Sequence, residues 1–279
     1  MLVQFDTHLH TEFSLDSETP VSDQMDRAME LGLNGICITD HIDYEFPIDQ
    51  CPGYDEDSPF LFDWEEYKKA IKKEADRRPD LSVLIGVECG LQTLDSVIEK
   101  NQKLCQKPEL DMVIGSIHLI DQIDPYYETL WNGNNAKSIL RRYFELTLEN
   151  LELFSNFNTL GHLDYAARYM PDKSEYKPAD YYEITDEIMR FLVRKNIALE
   201  INTSPLKKGY EFINPHPDFI KRYYDLGGRL ITIGSDAHVP EAMAYGFEET
   251  AETLIKIGFR EYVTFHKRQP QPHHFKTIR

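Results

Sequence analysis

Seven short β-branched or apolar runs recur along this chain, near Val3–Thr7, Gly35–Thr39, Ser82–Val87, Met112–Ile117, Thr159–His162, Ile197–Ile201 and Leu230–Gly234. The stretches between them return their apolar residues with helical period. Strand-sized runs separated by amphipathic helices admit few arrangements: the connections are long enough for crossovers, so the strands lie parallel and the helices cover them. Thr19-Pro20, a capping threonine followed by proline at the first helical position, announces a helix that ends at Gly32. Further helical patterns cover roughly Asp63–Arg77, Asn135–Phe154, Pro178–Lys195, Pro217–Leu226 and Glu248–Ile257. No repeat, low-complexity block or linker interrupts the alternation, so residues 1–279 are expected to form one domain, a size that α/β barrels reach.

A hydrophobic fraction of 41% with 28% charged residues is that of a soluble globular protein. No apolar run approaches a membrane span, and no membrane partner is expected. Met1–Asp6 shows no basic segment followed by an apolar one, so no signal peptide is expected and cytoplasmic residence is the default. Cys37, Cys51, Cys89 and Cys105 lack paired spacing and are expected to be reduced. Without a secretory signal, the glycosylation sequon Asn202-Thr203-Ser204 has no physical occasion. The formal charge of -18 weighs against long nucleic acid as a partner, since that binding rests on cationic side chains. A small phosphorylated substrate is compatible with it, because metal ions and one or two arginines invert the potential locally.

Six of the ten histidines fall in five short motifs, four of which also carry carboxylates or hydroxyls: His8-Leu9-His10, Thr39-Asp40-His41, Ser116-Ile117-His118, Gly161-His162-Leu163-Asp164 and Ser235-Asp236-Ala237-His238. Each lies at or just beyond the carboxyl end of a predicted strand, the edge where barrels and open sheets place their active sites. Imidazole and carboxylate hold borderline and hard divalent metals. His8 and His10, two apart on a strand, leave the same face. Glu88 ends the apolar run Leu84-Ile85-Gly86-Val87, where a carboxylate is expensive unless paired or liganded. The long segments Asp43–Phe62 and His118–Asn134 are expected to be lids, substrate walls or plain solvated loops.

The series His8-x-His10, Asp16, Thr39-Asp40-His41, Gly86-x-Glu88, His118, Gly161-His162-x-Asp164 and Ser235-Asp236-x-His238 resembles that of the PHP (polymerase and histidinol phosphatase) family, over essentially the whole chain. The resemblance implies a distorted (β/α)7 barrel with a metal site at the carboxyl ends of its strands. It implies three divalent metal ions, zinc, manganese or iron. The first would be held by His8, His10, Glu88 and Asp236, the second by a bridging Glu88 with His118 and His162, and the third by Asp16, His41 and His238. A carboxylate at Asp16 hardens the third site toward manganese or iron.

Within the family the chain is most similar to the histidinol-phosphate phosphatase branch. The features that carry this are Gly161-His162-Leu163-Asp164 followed shortly by Arg168, and Glu200-Ile201-Asn202-Thr203-Ser204. The implied reaction is hydrolysis of L-histidinol phosphate to L-histidinol and phosphate in histidine biosynthesis, a hydroxide held between two ions at Glu88 and Asp236 attacking phosphorus. Arg168 is the expected phosphate clamp. Asn202 and Thr203 are expected to contact substrate or the groups that support the metal ligands. Asp40, Asp164 or a metal-bound water is expected to protonate the leaving alkoxide, and Asp164 alternatively orients a ligating histidine. For the amino alcohol, Glu45, Phe46, Tyr54, Tyr126 and Tyr127 are candidate contacts. Alternative readings are a family phosphoesterase acting on nucleotides or short oligonucleotides, a non-catalytic metal-binding accessory protein, and carbon-nitrogen hydrolysis on a similar metal barrel. The oligomeric state is left open.

Overall fold

The computed structural model describes residues 2–48 and 60–276; Cys51 and Tyr54 lie outside them. Its strands are β1 (Phe5–Leu9), β2 (Gly35–Ile38), β3 (His41–Ile42), β4 (Ser82–Gly90), β5 (Met112–Ser116), β6 (Thr159–Leu160), β7 (Ala198–Asn202) and β8 (Ile231–Gly234). They pair in parallel in the order β1-β2-β4-β5-β6-β7-β8, and the two-residue β3, continuing the course of β2 past Thr39-Asp40, also pairs with β4. Seven staves result, as the sequence pattern predicts. The barrel is closed by β1 against the end of β8: Leu9 bridges Ala237, Asp236 N donates to His8 O at 2.8 Å, and His10 N donates to Ala237 O at 3.0 Å. Gly234 makes that approach feasible, since a Cβ there would sit 2.3 Å from His8 Cβ.

The helices are α1 (Val21–Glu30), α2 (Trp64–Ala75), α3 (Asp95–Leu104), α4 (Glu128–Trp131), α5 (Ala136–Leu153), α6 (Tyr182–Lys195), α7 (Ser204–Lys207), α8 (Pro217–Asp225) and α9 (Phe247–Ile257). The six predicted helical patterns correspond to α1, α2, α5, α6, α8 and α9. Helix α1 ends as expected: Gly32 takes a left-handed φ of 67°, and Leu33 N reaches back to Ala28 O at 3.0 Å. Its start differs from expectation. Thr19 does not cap the helix, because its hydroxyl donates instead to His238 O at 2.7 Å, tying the β1–α1 loop to the β8 loop.

Helix α3 is absent from the sequence-based expectation, for a physical reason. One of its buried positions is Asn101, whose amide donates to Gly90 O at 3.0 Å, so a polar letter stands where the helical period calls for an apolar one. A carboxyl-terminal hairpin of β9 (Glu261–His266) and β10 (Gln269–His274) is a second addition. Lys267 and Arg268 turn it with φ of 48° and 65°. Pro270 and Pro272 in β10 argue against a strand by sequence, but β10 is an edge strand paired only with β9, where proline is tolerated. Val263 and Phe265 of β9 pack against Cys37, Leu84, Met112, Ile114 and Ala198. Leu84, Met112 and Ala198 lie at the amino ends of their strands, so the hairpin plugs that mouth of the lumen and the opposite mouth is left for chemistry. Cys37, Cys89 and Cys105 are buried free thiols. Among the described residues no helix is long and apolar enough to cross a membrane.

Candidate metal centre

At the carboxyl mouth, His8 of β1 and His10 just beyond its end stand with ring centres 5.0 Å apart, and both are fully buried. His8 Nδ1 lies 2.5 Å from Glu200 Oε1, which leaves Nε2 3.1 Å from Glu88 Oε2 and 3.8 Å from Asp236 Oδ1. His10 Nδ1 meets Ser14 Oγ at 2.9 Å, and Ser14 donates to Asp40 Oδ1 at 2.6 Å. His10 Nε2 then sits 3.3 Å from Asp236 Oδ1 and 3.5 Å from Glu88 Oε2 without a hydrogen bond of its own. Donor atoms around a tetrahedral ion with bonds of about 2.0–2.1 Å stand about 3.3 Å apart. The donor set therefore fits a divalent ion, which would give the otherwise unbonded buried nitrogen a partner.

Glu88 serves two sides at once. Its Oε1 lies 2.9 Å from His162 Nε2 and 3.1 Å from His118 Nε2, while Oε2 faces His8 and, at 3.1 Å, His41 Nδ1. Ser116 Oγ donates to Oε1 at 2.7 Å. Toward the outer side, Asp16 Oδ2 is 3.2 Å from His238 Nε2 and 3.8 Å from His41 Nε2. Among the described residues the ligating atoms converge in four overlapping groups: His8, His10 and Asp236; Glu88, His118 and His162; His10, His41 and His238; and His41, Asp43 and His118. The cluster can bind metal.

The electrostatics state the same demand. Burial would raise the Glu88 carboxyl pKa, but His8, His118 and His41 outweigh it and hold it well below the usual range. Burial would depress His8, yet Glu200, Glu88 and Asp236 hold its pKa well above the ordinary value; Asp43 and Glu88 do the same for His118. His41 is driven to about 9 against its burial by Glu88 and Asp16. Burial, with His238 and His41 beside it, pushes His10 down to about 3. The carboxylates draw positive charge into a buried place, which protons supply in the bare protein and divalent cations supply by displacing them. Asp236 sits at a left-handed φ of 54°, held by its N–H on His8 O and by donors to Oδ2 from Ser204 Oγ (3.2 Å) and Asn202 Nδ2 (3.3 Å).

A cavity of about 380 Å³ opens over this cluster. Its lining includes Glu88, His118, His162 and Asp236, and adds the cations Arg168, Lys207 and Lys208. Arg168 comes from the 3₁₀ turn Tyr165–Tyr169 after β6. Its guanidinium stacks 4.1 Å from the Tyr165 ring centre, donates to Ser204 Oγ at 3.1 Å and lies 4.0 Å from Asp236 Oδ2. Burial, then the charge of Arg168, lowers the pKa of Lys208.

Asp40, Asp164, Asn202 and Thr203, expected to act on the substrate, do not line the cavity. Asp40 is fully buried and spends its oxygens on Thr11 N (2.6 Å), Thr11 Oγ1 (2.8 Å) and Ser14 Oγ, so it is not placed to protonate a leaving group. Asp164 accepts from Tyr176 Oη (2.7 Å), Asn214 Nδ2 (2.6 Å) and His216 N (2.9 Å); it neither faces the cavity nor touches an imidazole of the cluster. Asn202 spends its amide within the protein, on Asp236, on Glu200 and on Ser204 N, and Thr203 donates to Gly234 O. Neither contacts the cavity, because both lie within the strand-end network beneath it. Of the loop candidates, Phe46 lines the cavity, whereas Glu45 is paired with Lys100 (2.7 Å) and Ser96 on the surface. Tyr126 is 64% exposed, and neither it nor Tyr127 lines the cavity.

The residues that sequence reasoning leaves without a role are Glu200, Asp43, Asp124, Lys207 and Lys208. Glu200 carries the same signal as Glu88, a carboxylate inside an apolar strand.

Residues 6–204 match the family model of the PHP domain. The "Probable histidinol-phosphatase" of Clostridium acetobutylicum is 34% identical over 265 residues, 95% of this chain and 97% of that one. The "Histidinol-phosphatase" of Lactococcus lactis is 35% identical over 268 residues, 94% of each. A crystal structure of histidinol phosphate phosphatase from Lactococcus lactis, complexed with zinc, L-histidinol and phosphate, superimposes with a TM-score of 0.84 at 31% identity, covering 97% of this chain and all of that one.

Proposed function

The chain belongs to the PHP domain family, and from that premise we propose that it is a metal-dependent histidinol-phosphatase, converting L-histidinol phosphate and water to L-histidinol and inorganic phosphate. One observation carries the reading: Glu88 divides its two oxygens between His8 and the His118–His162 pair in the same cavity that Arg168 lines. The full-length likeness to proteins of that name supports it. Residence in the cytoplasm and a place in histidine biosynthesis belong to the same reading.

Three divalent ions are proposed. His8, His10, Glu88 and Asp236 would hold the first, Glu88, His118 and His162 the second, and Asp16, His41 and His238 the third. Asp43 would hold His118 by its Nδ1, 2.8 Å away. Mixed imidazole and carboxylate sets of this kind suit zinc, and the Asp16 carboxylate makes the third site harder than a histidine there would, in the direction of manganese or iron. Such ions, when bound, neutralise phosphate charge as Lewis acids and lower the pKa of water near 7.

The chain's own groups do the rest. Phosphomonoester hydrolysis is among the slowest uncatalysed reactions, so charge neutralisation and positioning supply most of the acceleration. Arg168, stacked on Tyr165 and anchored on Ser204, keeps a rigid fork for phosphate oxygens, and Lys207 and Lys208 add positive charge to the same cavity. Tyr165 and Tyr169 bury the guanidinium, which strengthens its pull on an anion. The reading is tested by phosphate release from L-histidinol phosphate before and after chelation. Turnover is expected to vanish on chelation and return with added divalent ions; turnover that survives complete metal removal contradicts it.

A further inference from the structure

Among the described residues five carboxylates line the cavity, and four of them are spoken for. Asp16, Asp43, Glu88 and Asp236 each stand within 4 Å of at least one imidazole nitrogen of the cluster. Asp124 is the exception: among the described residues no histidine, lysine or arginine nitrogen lies that close to it. Its Oδ1 accepts from Tyr126 N at 2.8 Å. Its Oδ2 has no protein donor, and the side chain is partly buried in the cavity wall. A partly desolvated carboxylate with no ion-pair partner gains a charge-assisted contact when a cation enters beside it.

The position of Asp124 is fixed relative to the anion-binding side. Its carbonyl accepts from Tyr127 N at 3.1 Å, closing a tight turn. The Tyr126 ring packs edge-on against Tyr169, with centres 5.8 Å apart, and Tyr169 belongs to the 3₁₀ turn that carries Arg168. The cavity is therefore dipolar. It has metal ligands and cations for a phosphate, and one unmatched carboxylate, accompanied by Phe46 and Phe60, for something positive and planar.

Resting on the proposed reaction, we infer that Asp124 is the specificity-determining residue for the leaving alcohol, its carboxylate receiving the protonated amine of L-histidinol. Discrimination follows from both signs of the interaction. A phosphate ester with a cationic alcohol pairs with the carboxylate, while one with a neutral alcohol leaves it without a partner and one with an anionic alcohol is repelled. The role differs from turn-making. Asparagine and serine retain an acceptor for Tyr126 N, so Asp124→Asn and Asp124→Ser keep the turn and remove the charge.

The test uses metal-reconstituted wild-type protein, D124N, D124S and D124E. It measures kcat/KM for L-histidinol phosphate and for p-nitrophenyl phosphate, and inhibition by L-histidinol and by inorganic phosphate. In D124N and D124S the ratio of the two kcat/KM values is expected to fall about 10- to 100-fold, the range of one charge-assisted contact. The inhibition constant of L-histidinol is expected to rise in parallel, that of phosphate to move far less, and D124E to recover part of the ratio. Equal losses on both substrates, or an unchanged L-histidinol constant, would overturn the assignment while leaving the phosphatase reading in place. Wild-type protein that fails to turn over L-histidinol phosphate would remove that reading, and the role of Asp124 with it.

Discussion

Glu200, in the middle of β7, holds His8 of β1 by its Nδ1 across the barrel mouth at 2.5 Å. The contact fixes the imidazole so that Nε2 faces Glu88 and Asp236, and the same carboxylate accepts from His162 N at 2.8 Å. A carboxylate behind a ligating histidine sets its tautomer and raises its basicity, and removing such a partner typically lowers metal affinity about 10- to 100-fold. Glu200→Gln is expected to fall in that range, read by competition with a chelator of known affinity. An unaltered affinity would show that the contact is structural only.

Arg168 is expected to tolerate no exchange. Lysine cannot reproduce a planar fork that stacks on Tyr165 while bonding Ser204. Arg168→Lys is expected to lower kcat/KM about 10²- to 10³-fold, the usual effect of removing one donor to developing charge, and to weaken inhibition by inorganic phosphate. An unfolding curve for the variant separates this from loss of structure. Near-wild-type kinetics would take Arg168 out of phosphate binding.

The close approach of β8 to β1 predicts a stability effect. A methyl group on Gly234 would meet His8 Cβ at 2.3 Å, in a buried place where neither strand can retreat without breaking the closure at Leu9 and Ala237. Gly234→Ala is expected to cost about 1–3 kcal/mol in denaturant unfolding of the metal-free protein, the range for overpacking. A loss near zero would mean that the barrel closes more loosely there.

The histidine cluster makes the metal-free protein sensitive to pH in a defined direction. His41, ordinarily at 6.5, is raised to about 9, and His8 and His118 are raised as well. Between those values the folded chain holds protons that the unfolded chain has lost, so stability falls as pH rises through that window. His10, held at about 3, works in the opposite sense: its contribution is lost as pH falls below 6.5. The chelated protein is therefore expected to have a lower Tm at pH 9 than at 6.5, and the metal-loaded protein, whose histidines are neutral and ligated, to lose much less. Parallel curves for the two forms would contradict the displacement of protons by metal.

Much of this was legible in the residues. The strand ends predicted to carry His8, His10, His41, His118, His162 and His238 do meet at one mouth of a seven-staved barrel, because a parallel α/β chain puts every strand's carboxyl end on one side. Asp40 and Asp164 sit in the right motifs, but a motif does not show where oxygens are spent, and both are consumed by hydroxyl, amide and backbone donors. Glu200 was missed although it obeys the rule that singled out Glu88. Asp124 was not readable, since its meaning depends on having no ion-pair partner within 4 Å among the described residues, a property of three-dimensional arrangement. Helix α3 and the hairpin β9–β10 were hidden by Asn101 and by two edge-strand prolines.

The measurement that bears most directly on the whole account is the ratio of kcat/KM for L-histidinol phosphate to those for nucleoside monophosphates and short oligonucleotides, on metal-reconstituted protein. A preference of at least about 10²-fold for L-histidinol phosphate is expected, the scale set when a buried polar group is matched by one substrate and left unmatched by another. Equal or greater efficiency on nucleotides, with L-histidinol phosphate a poor substrate, would contradict it.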